Sequence, residues 1–136
     1  KLSLPGLVLE NGSGLSRNER ISANGLAALL AAADASPVRE EFASSLAVAA
    51  VDGTVQKRFQ TGDVAGQALL KTGSLEGVRA IAGYVFAPGG RTFVVVCFVN
   101  HPNAARAQAP PALLPQARGV HGVVHVRYLM RGSSHA

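Results

Sequence analysis

The chain has 136 residues, enough for one domain or a piece of one. Hydrophobic residues make up 48% and charged residues only 15%, a balance that supports a sizeable core and excludes an intrinsically disordered chain. The formal charge of +5 is a property of one end: residues 1–103 carry nine Lys/Arg against eight Asp/Glu, whereas residues 104–136 carry four arginines and no acid, and with no basic patch interleaved with aromatics the pattern excludes nucleic acid as a partner.

In chain order, Leu7-Val8-Leu9 predicts a short strand that runs into the turn cluster Glu10–Gly14. Ser22 is placed to cap a helix over Gly25–Ala33, built from strong helix formers and apolar on nearly every side, which predicts a buried helix. A second helix is predicted from Ser36 as cap, with Pro37 at its first position and Glu40 and Glu41 in its first turn. Its face would be Val38, Phe42, Leu46 and Ala49, and it would end before Asp52-Gly53. Residues 54–66 predict a loop with one helical turn.

A sheet follows. Ala68–Thr72, Val78–Phe86 and Thr92–Val99 predict an antiparallel meander, with Ala87–Arg91 as the connection of the second pair. The third strand is apolar throughout, as befits a strand covered on both faces. It holds the only cysteine, Cys97, which reads as a small core residue. No apolar run approaches the ~18 residues of a membrane helix, so no transmembrane segment is expected. No order of charged, apolar and cleavage segments marks a signal peptide, and no cofactor or metal is expected. A helix is predicted to begin at Asn103–Ala109. Beyond it, Pro110, Pro111 and Pro115 break helices. Val120–Tyr128 reads as a strand or, favoured by its changed composition, as a poorly specified extension.

The chemistry-bearing run is Leu69-Leu70-Lys71-Thr72-Gly73-Ser74-Leu75-Glu76-Gly77. Strand alternation sends Thr72 and Ser74 to one face and Lys71 to the other or into a cleft. Gly73 removes a side chain where backbone and ligand would approach closely. A lysine ammonium supplies positive charge and hydrogen-bond donors for a carboxylate or an oxyanion. From the triplet alone, a solvated lysine before an ordinary Gly-Ser turn is the plainer alternative.

Two blocks together carry a resemblance. One is Glu10-Asn11-Gly12-Ser13-Gly14-Leu15-Ser16-Arg17, and the other is Leu70–Val78 followed by Ala82-Gly83-Tyr84-Val85, with Val51-Asp52-Gly53-Thr54 between them. These resemble the D-alanyl-D-alanine carboxypeptidase/endopeptidases of the penicillin-binding protein 4 type (serine peptidase family S13), with Asn11 where that family has Asp. Lys-Thr-Gly is the third motif of the penicillin-binding proteins and serine β-lactamases. The resemblance spans roughly residues 5–109 and implies an α+β fold, an antiparallel sheet flanked by helices.

It also implies roles. Lys71, Thr72 and Gly73 would belong to the catalytic motif, with Lys71 supporting proton transfer and positive potential. Thr72 and Ser74 would offer hydroxyls to the substrate or β-lactam carboxylate. The backbone N–H of Ser74 would be an oxyanion-hole donor. Leu15 and Arg17 would line the pocket for the stem-peptide side chain, where an arginine pairs a carboxylate; a solvated loop arginine is the alternative. Ser13 and Gly14 read as turn-formers. The implied partners are peptidoglycan stem peptides, β-lactams and the missing N-terminal part of the same protein. The implied location is periplasmic or otherwise extracytoplasmic.

The nucleophile is missing. No S-x-x-K occurs in the 136 residues, and the S-x-N strings Ser16-Arg17-Asn18 and Ser22-Ala23-Asn24 read as decoys. The expectation is a C-terminal part of a larger serine carboxypeptidase, inactive alone. Residues 1–109 would belong to the penicillin-binding domain. Residues 110–136 would be an atypical basic tail, from a frame change or an appended sequence. A non-catalytic binding module of the same fold and a β-lactamase-like hydrolase are the rival readings.

Overall fold

In the computed structural model, residues 2–57, 60, 65–87 and 90–106 are described, together with the backbone of 129–131. Their elements are α1 (Ala23–Asp34), α2 (Arg39–Ser44), β1 (Ala47–Val48), a 3-10 turn (Gly53–Val55), β2 (Ala68–Leu75), β3 (Val78–Ala87), β4 (Arg91–Asn100), a second 3-10 turn (Ala104–Arg106) and β5 (Leu129–Arg131). The strands form one antiparallel sheet in sequence order, β1 to β5. The α+β expectation holds.

The sheet separates two cores because strand side chains alternate. Ala68 and Leu70 of β2, Ile81 and Val85 of β3, and Val95 and Cys97 of β4 bury one face, joined by Ala49 and Val55. Tyr84, Val94 and Val96 bury the other against Ala23, Ala27 and Leu30 of α1. The continuous apolar run of β4 thus serves both faces, as its sequence predicts. Burial alone pushes the Cys97 thiol pKa up, so it stays a protonated core residue. Leu70 is almost wholly buried, a contribution of about 1.5–3 kcal/mol for a side chain of its size.

Helix α1 starts as its sequence dictates, with the Gly25 N–H donating to Ser22 Oγ at 2.9 Å. It is not buried all round. Its inner face is Ala23, Ala27 and Leu30, and Leu29 faces outward. Among the described residues, one sheet face receives it. Its tie to the sheet is polar as well as apolar: the Tyr84 hydroxyl donates to the Leu30 carbonyl at 2.7 Å. Burial, then the Asp34 charge, push the Tyr84 pKa up.

The second helix departs most from its sequence. It spans only Arg39–Ser44, and Ser36 does not cap it; the Ser36 hydroxyl donates back to the Ala33 carbonyl at 2.7 Å. The residues expected to continue it leave for the sheet, Ala47 opposite Leu70 and Val48 opposite Leu69. Strand pairing satisfies the backbone there, and the β-branched Val48 suits it better than a helix. The expected apolar face is split. Phe42 and Leu46 pack on the helix-covered side, Ala49 lies in the opposite core, and Val38 is exposed.

Three smaller corrections follow. Leu7–Leu9 is no strand: Val8 and Arg20 form a single antiparallel bridge, and Val8 and Leu9 are exposed. β2 continues to Leu75 instead of ending at Thr72. The helix expected at Asn103–Ala109 is a 3-10 turn at Ala104–Arg106, and residues 107–109 lie outside the described residues, as does the Val120–Tyr128 segment. The helical turn expected in 54–66 is the 3-10 turn at Gly53–Val55. Residues 129–131 of the basic end pair with Thr92–Val94 as β5.

Candidate active site

Lys71, Thr72, Gly73 and Ser74 all lie within β2, opposite Ala82, Ile81, Ala80 and Arg79 of β3. β1 reaches no further along β2 than Leu70. From Lys71 to Leu75, the outer edge of β2 is therefore paired with no strand among the described residues. The motif sits on an open sheet edge because the α2–β1 connection turns away at Leu46-Ala47.

Thr72 shares the face of the buried Leu70, and Lys71 takes the opposite face. The exposed Lys71 Nζ donates to the Thr72 carbonyl at 2.7 Å. The Thr72 hydroxyl lies 2.7 Å from the Thr54 hydroxyl. Gly73 is exposed, and a Cβ there would meet nothing closer than the Ala80 Cβ at 3.4 Å. That is an ordinary contact, so nothing within the described chain demands a glycine at this position. Ser74 is exposed opposite Arg79, whose guanidinium donates to the Leu75 and Val78 carbonyls at 2.8 Å.

The other block is a self-bonded loop. The Ser16 hydroxyl donates to Glu10 Oε2, and Asn18 Nδ2 donates to Glu10 Oε1 at 3.0 Å. Ser16 first, then Asn18, hold the Glu10 carboxyl below the usual carboxylate range. Asn11 Oδ1 accepts from the Ser13 N–H, Ser13 Oγ from the Leu15 N–H, and Glu19 Oε1 from the Gly12 N–H. Ser16 and Asn18 are thus engaged in shaping a loop, and Ser22 in capping a helix. Both S-x-N strings have structural work.

Arg17 joins the two blocks. Its Nη1 donates to the Glu76 carbonyl at 3.1 Å, and its Nη2 is 3.9 Å from Glu76 Oε2. Both side chains are exposed, so the ion pair contributes little and the carbonyl bond fixes the placement. The loop and sheet enclose an open cleft of about 600 Å³, lined among others by Arg17, Ile21, Leu75, Val78, Phe98 and Asn100. Lys71, Thr72, Gly73 and Ser74 do not line this cleft, and Leu15 is 73% exposed and does not line it either. The structure therefore brings Arg17 to the β2–β3 turn and leaves Leu15 in solvent. Sequence reasoning passed over Thr54, although its block, Val51–Thr54, was in view; a hydroxyl residue directly after an Asp-Gly turn was the available signal.

Known proteins are similar to this chain in sequence and in fold. A D-alanyl-D-alanine carboxypeptidase of Actinomadura sp. (strain R39) is 39% identical over 105 residues, which cover 74% of this chain and 20% of that protein. The crystal structure of penicillin-binding protein 4 from Haemophilus influenzae, in complex with a novel β-lactam, is similar with a TM-score of 0.66 and 26% identity, over 71% of this chain and 23% of that one. A further crystal structure of the same Haemophilus protein is similar in fold, with a TM-score of 0.69 at 23% identity, over 85% of this chain and 25% of that one. The chain thus spans a fifth to a quarter of the proteins it matches. Residues 1–114 match the family of D-Ala-D-Ala carboxypeptidase 3 (S13), and the chain belongs to that family.

Proposed function

We propose that this chain supplies one wall of the active site of a serine D-Ala-D-Ala carboxypeptidase. The observation that carries the reading is the open edge of β2 at Lys71-Thr72-Gly73-Ser74, with an exposed Gly73 whose missing side chain serves no contact within the described chain. An open strand edge accepts an extended peptide by main-chain pairing. The substrate is a peptidoglycan stem peptide ending in D-Ala-D-Ala, and a β-lactam is its competitor.

A serine attacks the peptide bond before the terminal D-alanine, D-alanine leaves, and water hydrolyses the acyl-serine. That serine and its lysine come from an S-x-x-K outside these 136 residues. Lys71 contributes its ammonium charge and Thr72 and Ser74 their hydroxyls to the substrate carboxylate, while the Ser74 N–H serves the oxyanion. Arg17 stands at the cleft for the stem side chain, and Leu15, exposed to solvent two residues before it, would reach that side chain only from outside the cleft. This chemistry belongs to the cell wall, outside the cytoplasm. The penicillin-binding portion is residues 1–109, inside the family match to residues 1–114, and 110–136 is a basic tail whose residues 129–131 pair with β4.

In the full-length protein containing this chain, labelled penicillin should form a covalent adduct on a serine outside these residues. Gly73→Ala should leave the melting temperature nearly unchanged and slow acylation at least tenfold, because its Cβ intrudes on the ligand and not on the fold. Acylation of Gly73→Ala at the parent rate would remove the open edge as the binding wall.

A further inference from the structure

We propose that Thr54 is a positioning residue for Thr72: its hydroxyl holds the Thr72 hydroxyl in the orientation that donates to the substrate carboxylate. The inference rests on the reading of Thr72 as a substrate contact.

The two Oγ1 atoms lie 2.7 Å apart across 18 residues of sequence, a full hydrogen bond. Each hydroxyl carries one donor and two acceptor sites. A carboxylate is the stronger acceptor and draws a shorter, stronger bond than a neutral oxygen. With an anion at the strand edge, the Thr72 proton goes to the ligand, and Thr54 donates to Thr72 Oγ1. The Thr54 donor thus leaves the Thr72 proton for the ligand and fixes the angle at which it is offered.

The turn that carries Thr54 is built to hold still. Its neighbour Val55 is completely buried in the sheet core with Ala49. Asp52 Oδ1 accepts from the Val48 N–H at 2.6 Å, and the Ala50 N–H donates to the Val55 carbonyl at 3.2 Å, closing the turn. Ala50 sits at φ 62, a left-handed conformation that a non-glycine residue keeps only when its surroundings over-determine it. The turn begins where β1 ends. β1 runs away from the motif, from Ala47 opposite Leu70 to Val48 opposite Leu69, and the turn after it folds back so that Thr54 meets β2 at Thr72, two residues beyond the Leu70 pair. Thr54 is itself exposed, so its hydroxyl is placed by the turn and not by packing of its own side chain.

The test is a double-mutant cycle in the full-length protein, read as second-order acylation by a carboxylate-bearing penicillin. Thr54→Val should slow acylation about three- to tenfold, as expected for one neutral hydrogen bond, and Thr54→Ser should restore it. In a Thr72→Val background, Thr54→Val should change nothing further. Thr54→Ala repeats the measurement should the valine disturb the turn, with circular dichroism reporting the fold. If Thr72→Val slows acylation while both Thr54 variants acylate at the parent rate, or if the two effects multiply independently, the positioning role is overturned. If Thr72→Val itself has no effect, the reading of Thr72 as a ligand contact fails, and this inference falls with it.

Discussion

Glu10 occupies no catalytic position, yet it organises the loop that presents Arg17. Its carboxylate accepts from Ser16 and Asn18, and these bonds favour the charged form. A carboxyl whose folded pKa is depressed contributes stability above its ordinary pKa and loses it as pH falls through the folded value. The loop should therefore loosen only below the usual glutamate range. A pH titration of the Glu10 carboxyl carbon by NMR should give a midpoint below that of a free glutamate, and Ser16→Ala should raise it. An unmoved midpoint in Ser16→Ala would remove Ser16 as the cause. The sequence marked Ser16-Arg17-Asn18 as a decoy for the S-x-N motif, but it held no sign of what those side chains do instead. Only the fold of the loop reveals that both side chains turn to Glu10.

The strands were the most legible elements. Ala68, Leu70, Ile81, Val85, Val95 and Cys97 alternate with residues of the opposite face, and that period survives tertiary context because both faces are covered. The second helix was misread because the Val38, Phe42, Leu46, Ala49 spacing is helical by chance of composition, while the pairing of Ala47 and Val48 with β2 was invisible locally. The β2–β3 pair contains its own check. Gly83 has φ 152, and a Cβ there would lie 2.0 Å from the Leu69 carbonyl oxygen, inside the paired strand. Backbone cannot yield as a flexible side chain does. Gly83→Ala should destabilise the protein by more than about 3 kcal/mol, from the strained dihedral and the broken pairing together. Equilibrium urea unfolding measures it, and a loss under about 1 kcal/mol would mean that the strands separate cheaply. The contrast with Gly73 is instructive: one glycine is required by the neighbouring strand, the other by nothing within the described chain.

At the scale of the molecule, a family match to residues 1–114 stands beside a span of only a fifth of the Actinomadura carboxypeptidase. Chemistry by acyl transfer needs a nucleophile and a base within hydrogen-bond reach of one another. The purified 136-residue chain should consequently take up no labelled penicillin, while the full-length protein does. A covalent adduct on the isolated chain, seen by intact mass, would overturn the division of the active site between this chain and residues outside it.

By itself the sequence determined the family, the strand meander, the helix capped by Ser22 and the place of Lys71 and Thr72 on a strand. These follow from local periodicity, capping chemistry and contiguous motifs, which a linear chain displays directly. Tertiary structure alone decided that β1 stops at Leu70 and opens the strand edge at the motif. It decided too that Arg17 reaches Glu76 across 59 positions and that Thr54 meets Thr72. Those contacts join residues that no local period relates, and they exist only once the sheet has brought the distant turns together.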